Sequence, residues 1–139
     1  MLIVHATCVA HAGRAVLLCG PSGSGKSDLA LRLIDGGAEL VADDQVVLRN
    51  EDGRLIARAP EALAGRMEVR GIGIVAVAHV ASAPVALAVD LVAPAAVERM
   101  PEPAFRSFLD RSVPLIALAP FEASAPAKIR IALAHFANR

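Results

Sequence analysis

Gly20-Pro21-Ser22-Gly23-Ser24-Gly25-Lys26-Ser27 reads G-x-x-x-x-G-K-S, a pattern in which each residue type has a physical task. Glycines let the backbone curl until successive N–H groups converge on phosphate oxygens, the lysine bridges the outer phosphates, and the serine hydroxyl reaches a magnesium ion. The flanks agree with the motif. Upstream, Ala15-Val16-Leu17-Leu18-Cys19 is a continuous apolar run of the buried-strand type; downstream, Leu29, Leu33 and Ile34 recur at helical spacing, and Gly36-Gly37 supplies a left-handed stop. Strand, glycine-rich bend and helix in that order define an α/β nucleotide-binding unit of the P-loop type, with the helix dipole facing the phosphates. All eight loop residues are expected to touch nucleotide.

Working outward, residues 2–9 and 14–19 flank His11-Ala12-Gly13 as a strand, a tight turn and the strand that feeds the loop. After the helix, Glu39-Leu40-Val41-Ala42 is a strand ending at Asp43-Asp44, and residues 45–49 and 55–58 flank Asn50-Glu51-Asp52-Gly53 as a hairpin. Residues 60–70 read as a loop with one short helix. Strands are expected over 74–80, 85–92 and 113–118, with a short segment at 94–99 and a polar connection through Pro101 and Pro103. Ser124 caps a last helix in which Ile129, Ala132, Leu133 and Phe136 share one face. The sheet is therefore mixed, and 139 residues make one domain, 1–139.

Composition narrows the functions. Lys and Arg number 14 against 14 Asp and Glu, and four Phe are the only aromatic Phe, Trp or Tyr residues, so neither the field nor the stacking surface favours nucleic acid. No stretch reaches about 18 strongly apolar residues and the start has no signal-peptide pattern, which points away from a membrane and to a cytoplasmic protein. Cys8 and Cys19 lie in apolar runs without C-x-x-C spacing and read as buried thiols.

Phosphoryl transfer needs charge neutralisation and a carboxylate to accept a hydroxyl proton. Asp43 and Asp44 end a strand expected beside the loop; strand alternation would turn only one of them to the nucleotide. Asp90, closing Val85-Ala86-Leu87-Ala88-Val89, competes for a magnesium role by pattern. Glu68, in Met67-Glu68-Val69-Arg70-Gly71-Ile72-Gly73, sits where glycines allow close backbone approach, and Glu68 and Arg70 share a side. His5, His11, His79 and His135 have no metal-cluster spacing.

Taken together, His5, the loop, Leu40-Val41-Ala42-Asp43-Asp44 and Glu68-Val69-Arg70-Gly71-Ile72-Gly73 resemble the catalytic domain of HPr kinase/phosphorylase over nearly the whole chain. The resemblance implies a mixed-sheet domain similar to phosphoenolpyruvate carboxykinase. It implies ATP and Mg2+ as cofactors, Lys26 on the phosphates, Ser27 and Glu68 at the metal, Asp44 as base toward a substrate serine, His5 tuning Asp44, and Arg99 as a further active-site arginine. The acceptor implied is HPr or a nitrogen-system HPr-like phosphocarrier, and the assembly a homo-oligomer, with a hexamer as one form.

The chain departs from that pattern in places. The separate N-terminal domain of full-length members is not in this sequence, so the expectation is either an excised fragment or a naturally short form; the start at Met1 favours the latter, which resembles alphaproteobacterial forms. Pro21 stands where the family has an acid, and Asp28 replaces a glutamate. The family's arginine-bearing motif associated with dephosphorylation gives way to Pro120-Phe121-Glu122-Ala123-Ser124-Ala125-Pro126-Ala127-Lys128, which favours kinase over phosphorylase activity. A P-loop metabolite kinase and a non-catalytic nucleotide sensor are the alternatives; no N-K-x-D guanine motif occurs.

Overall fold

The structure is a computed structural model and describes residues 1–136. The last three residues of the expected 1–139 domain lie outside the described residues. Strands β1 (Leu2–Val4), β2 (Ala6–His11) and β3 (Arg14–Cys19) lead into helix α1 (Lys26–Asp35), followed by β4 (Glu39–Ala42), β5 (Val46–Glu51) and β6 (Arg54–Arg58). Then come β7 (Arg66–Val69), β8 (Gly73–Ala76), β9 (Ser82–Leu91), β10 (Ala104–Phe108), β11 (Arg111–Leu118) and helix α2 (Ala125–Phe136).

A nine-stranded mixed sheet runs β1-β5-β6-β9-β3-β2-β4, with β11 added to β9 and β10 to β11. Strand β9 is long enough to branch it. Its first residues, Ser82 to Pro84, pair antiparallel with β6, and Ala88 to Leu91 pair parallel with β11, while its other edge runs parallel to β3. Three parallel strands therefore end together beside the glycine-rich loop, the edge where open α/β sheets bind ligands.

The apolar run of β3 is explained by burial on both faces. Val16 and Leu18 pack with Leu29, Leu33, Ile129 and Leu133 of the two helices, whereas Ala15 and Leu17 pack on the opposite face with Val46, Leu48 and Leu55. Burying each large aliphatic side chain contributes about 1.5–3 kcal/mol, so the loop springs from a firmly held strand. Arg14 adds a tie, donating from a guanidinium nitrogen to the Leu133 carbonyl at 3.0 Å.

Two hairpins follow the chemistry of their turns. Ala12-Gly13 and Asp52-Gly53 all have positive φ (51°, 77°, 55° and 82°), the signature of a two-residue turn matched to strand twist. The second is tighter than expected: β5 continues through Glu51 and β6 begins at Arg54, so Asn50 and Glu51 are strand, not loop. Helix α1 ends where the glycine pair stands, with Gly37 at φ 108° and the Ala38 N–H bonded to the Leu33 carbonyl.

Two strands depart from expectation. Residues 60–70 contain the short helix, a 3-10 turn over Glu61–Leu63, but continue into β7, which pairs antiparallel with β8. The strand expected over 74–80 is correspondingly short, and the chain beyond it covers the edge of β4 through Leu40 N–H to Ala78 O and Val80 N–H to Leu40 O. The connection through Pro101 and Pro103 ends in β10, paired with β11. None of the helices among the described residues is long and apolar enough to cross a membrane.

Candidate active site

The loop leaves β3 at Cys19 and is curled by its own lysine. Lys26 is only 7% exposed, and its Nζ donates to the carbonyls of Gly20 (2.6 Å) and Pro21 (3.1 Å). Gly25 precedes helix α1 at φ 97°, and a Cβ there would lie 2.8 Å from the Phe121 ring. Only glycine meets both demands. The first-turn N–H groups of α1 then face the loop's concave side, an arrangement suited to anions.

Asp43 is the hub beside this loop. Its Oδ1 accepts from the hydroxyls of Ser27 (2.9 Å) and Thr7 (3.1 Å), and its Oδ2 accepts from the Glu68 N–H at 3.4 Å. Thr7 is fully buried near the start of β2, a polar side chain in an apolar run whose hydroxyl is satisfied by Asp43. The acid thus joins β2, the phosphate loop and β7.

Asp44 has φ 70°, in the left-handed region that aspartate enters more readily than most residues. The strand ends at Ala42, so alternation does not govern the pair. Both carboxylates reach the site: Asp43 meets Ser27, and Asp44 places Oδ1 3.4 Å from His5 Nε2. Of the pair, Asp44 lines the cleft beside the loop, while Asp43 does not line it and is engaged by Ser27, Thr7 and the Glu68 N–H.

A cleft of about 560 Å³ gathers these groups. His5, Lys26, Ser27, Asp44, Glu68 and Arg70 line it, together with Ser22, Gly23 and Gly25 of the loop. Gly20, Pro21 and Ser24 belong to the same loop without lining this cleft. Arg99 lies between the 3-10 turn Pro94–Ala96 and β10, is exposed, and is not among the residues lining the cleft. Arg70 is the arginine the fold brings there.

Asp90 has a different fate. It stands in register with Cys19 at the end of β9, but Arg106 of β10 grips both its oxygens at 2.8 Å each. That pair raises the Arg106 pKa, chiefly through the hydrogen bond to Asp90. Burial pushes the Cys19 thiol up, opposed by Arg106 and reinforced by Asp90. Burial also pushes up the thiol of Cys8, a fully buried residue. Thr7 carried a sequence signal, a lone polar residue inside an apolar strand; Arg106 and Phe121 carried none.

A buried loop lysine, a serine bonded to an acid and a second acid facing the cleft make up a candidate site of the P-loop type. Residues 1–93 match the family described as HPr Serine kinase C-terminal domain, and the chain belongs to that family. The HPr kinase/phosphorylase of Clostridium beijerinckii is 46% identical over 72 residues, and that of Clostridium perfringens strain SM101 is 47% identical over 72 residues. Each match covers 52% of this chain and 24% of the relative, so the aligned part is about a quarter of those proteins. The structure of the Hpr(Ser) kinase/phosphatase from Coxiella burnetii superposes with a TM-score of 0.84 at 29% identity, covering 97% of this chain and 90% of that one.

Proposed function

We propose that the chain is an ATP-dependent protein serine kinase acting on HPr or a nitrogen-system HPr-like phosphocarrier, with Asp44 as the base. The observation that carries this is the single cleft lined by Lys26, Ser27, Asp44 and His5. Relatives bearing the name HPr kinase/phosphorylase support the choice of a phosphocarrier serine as acceptor.

In this mechanism the loop amides and Lys26 hold the phosphates, the lysine exchanging its carbonyl partners for phosphate oxygens. Asp44 takes the proton of the serine hydroxyl as its oxygen bonds to the γ-phosphorus; the bond to the β–γ bridging oxygen breaks, and ADP departs with that electron pair. His5, 3.4 Å from Asp44, orients the carboxylate and couples its own charge to the base's strength. His5→Ala should therefore change the shape of the pH–rate profile; an unaltered profile would remove His5 from the mechanism. Arg99 is assigned no step in this cleft.

The oxygen donors here suit magnesium: the Ser27 hydroxyl, already oriented by Asp43, and the exposed Glu68 carboxylate would hold it alongside phosphate and water. Among the described residues no group of three or more His, Cys, Asp or Glu side chains could hold a metal alone. When bound, the ion supplies charge neutralisation on the phosphates.

Incubation with labelled ATP, magnesium and purified phosphocarrier tests the proposal. Phosphoserine on the carrier supports it. Label on a small metabolite instead, or nucleotide binding without transfer, would replace it with a metabolite kinase or a sensor.

A further inference from the structure

Beside the glycine-rich loop lies a second hollow of about 410 Å³. Its walls are residues 91–94, which continue β9, and residues 119–122, which continue β11, and Gly23 and Ser24 form the edge shared with the loop. Leu91, Val92, Pro94, Ala119, Pro120 and Phe121 make it predominantly apolar. Small-molecule sites occupy roughly 300–1,000 Å³ and have this character, apolar walls with few polar groups.

Phe121 connects the two spaces, because its side chain lines both the cleft and the hollow. It is 68% exposed yet in contact with Gly25, and its flanking peptides are fixed. The Arg32 guanidinium donates to the carbonyls of Pro120 and Glu122 while Asp28 holds its Nε at 2.9 Å, and the Glu122 carboxylate meets Lys128 at 3.2 Å. A large aromatic ring is thus held in water at the rim of a phosphate site. Ser24 adds an independent sign: its buried hydroxyl has no hydrogen-bond partner among the described residues.

We infer that this hollow receives the base and ribose of the nucleotide whose phosphates occupy the loop, with Phe121 stacking on the base and Ser24 bonding the sugar or its adjoining phosphate. The inference rests on the nucleotide-binding part of the proposed function. Phe121, which carries it, lies beyond the 1–93 segment matched to the family, whereas Ser24 lies within it. Continuity selects the occupant, since a ligand with phosphates at Gly23 to Ser27 and an apolar ring a few bonds away fills both spaces. Stacking on an aromatic face tolerates any base, since every base has a π-face.

Calorimetric titration with magnesium-ATP and with tripolyphosphate, which has phosphates but no base, tests this. Phe121→Ala should weaken ATP about tenfold and leave tripolyphosphate unchanged, and Phe121→Trp should retain ATP. Unchanged ATP affinity in Phe121→Ala, or parallel loss of ATP and tripolyphosphate, would overturn the inference while leaving the phosphate site standing. Wild-type protein binding neither compound, or Lys26→Ala leaving both unaffected, would instead overturn nucleotide binding itself and this inference with it. The exposed ring makes misfolding of the alanine variant improbable, and Phe121→Leu, which keeps the contact with Gly25 but removes the aromatic face, should weaken ATP in the same direction.

Discussion

Asp43 and Asp90 each close a segment of the same sheet, and their surroundings divide them. Asp90 is nearer by topology, since β9 pairs directly with the strand that feeds the phosphate loop, whereas β4 is separated from it by β2. Yet Asp90 has both oxygens in the grip of Arg106, and Asp43 accepts the Ser27 hydroxyl. Strand adjacency places an acid; the donors that meet it decide what it is available to do.

The contrast can be broken most severely at Asp43. Asp43→Ala leaves the Ser27 and Thr7 hydroxyls without their acceptor and should cut phosphoryl transfer by about a hundredfold or more, measured as the initial rate of carrier phosphorylation. Asp90→Asn should stay within about threefold of wild type in the same assay. Equal losses at the two positions would erase the distinction.

A smaller effect sharpens the other side. Arg106→Leu strands the Asp90 carboxylate, and because the pair is 36% and 34% exposed, solvent compensates in part. The expected cost is about 1–2 kcal/mol, a fall of a few degrees in Tm by thermal unfolding, with nucleotide affinity retained. Loss of nucleotide binding without loss of stability would assign Arg106 to the site.

The smallest effect is read from the thiols. Burial raises both pKa values, so the thiolate that reacts with iodoacetamide forms at higher pH than in a free cysteine. Alkylation of the native protein should be slow at neutral pH and its pH curve displaced to the alkaline side, with rapid reaction in denaturant. Fast labelling at neutral pH would show that Cys19 is more open beside the loop than its surroundings indicate.

Much of this was legible in residue order. The apolar run at 15–19, the glycine bend and the helical spacing after it placed the loop, and Glu39–Ala42 was bounded as observed. The missed strands have a physical reason. In β7 only Met67 is buried, and β10 has no buried residue, so neither shows the alternation that marks a half-buried strand. What the residue order did not show at Asp44 was its left-handed backbone, since aspartate is merely tolerant of that conformation. Arg106 was unreadable because its meaning depends on a β10–β11–β9 pairing that brings it to Asp90 across the sheet. Phe121 likewise gains its place from the fixing of residues 120–122 by Arg32 on α1, a contact spanning distant parts of the chain.

The central claim is that Asp44 faces the acceptor hydroxyl and takes no part in holding the nucleotide. Asp44→Asn, assayed with labelled ATP and purified phosphocarrier alongside a calorimetric titration of ATP, tests it directly. Transfer should fall by about a hundredfold to ten-thousandfold with ATP affinity within about threefold of wild type. Phosphoserine forming at the wild-type rate in that variant would contradict it.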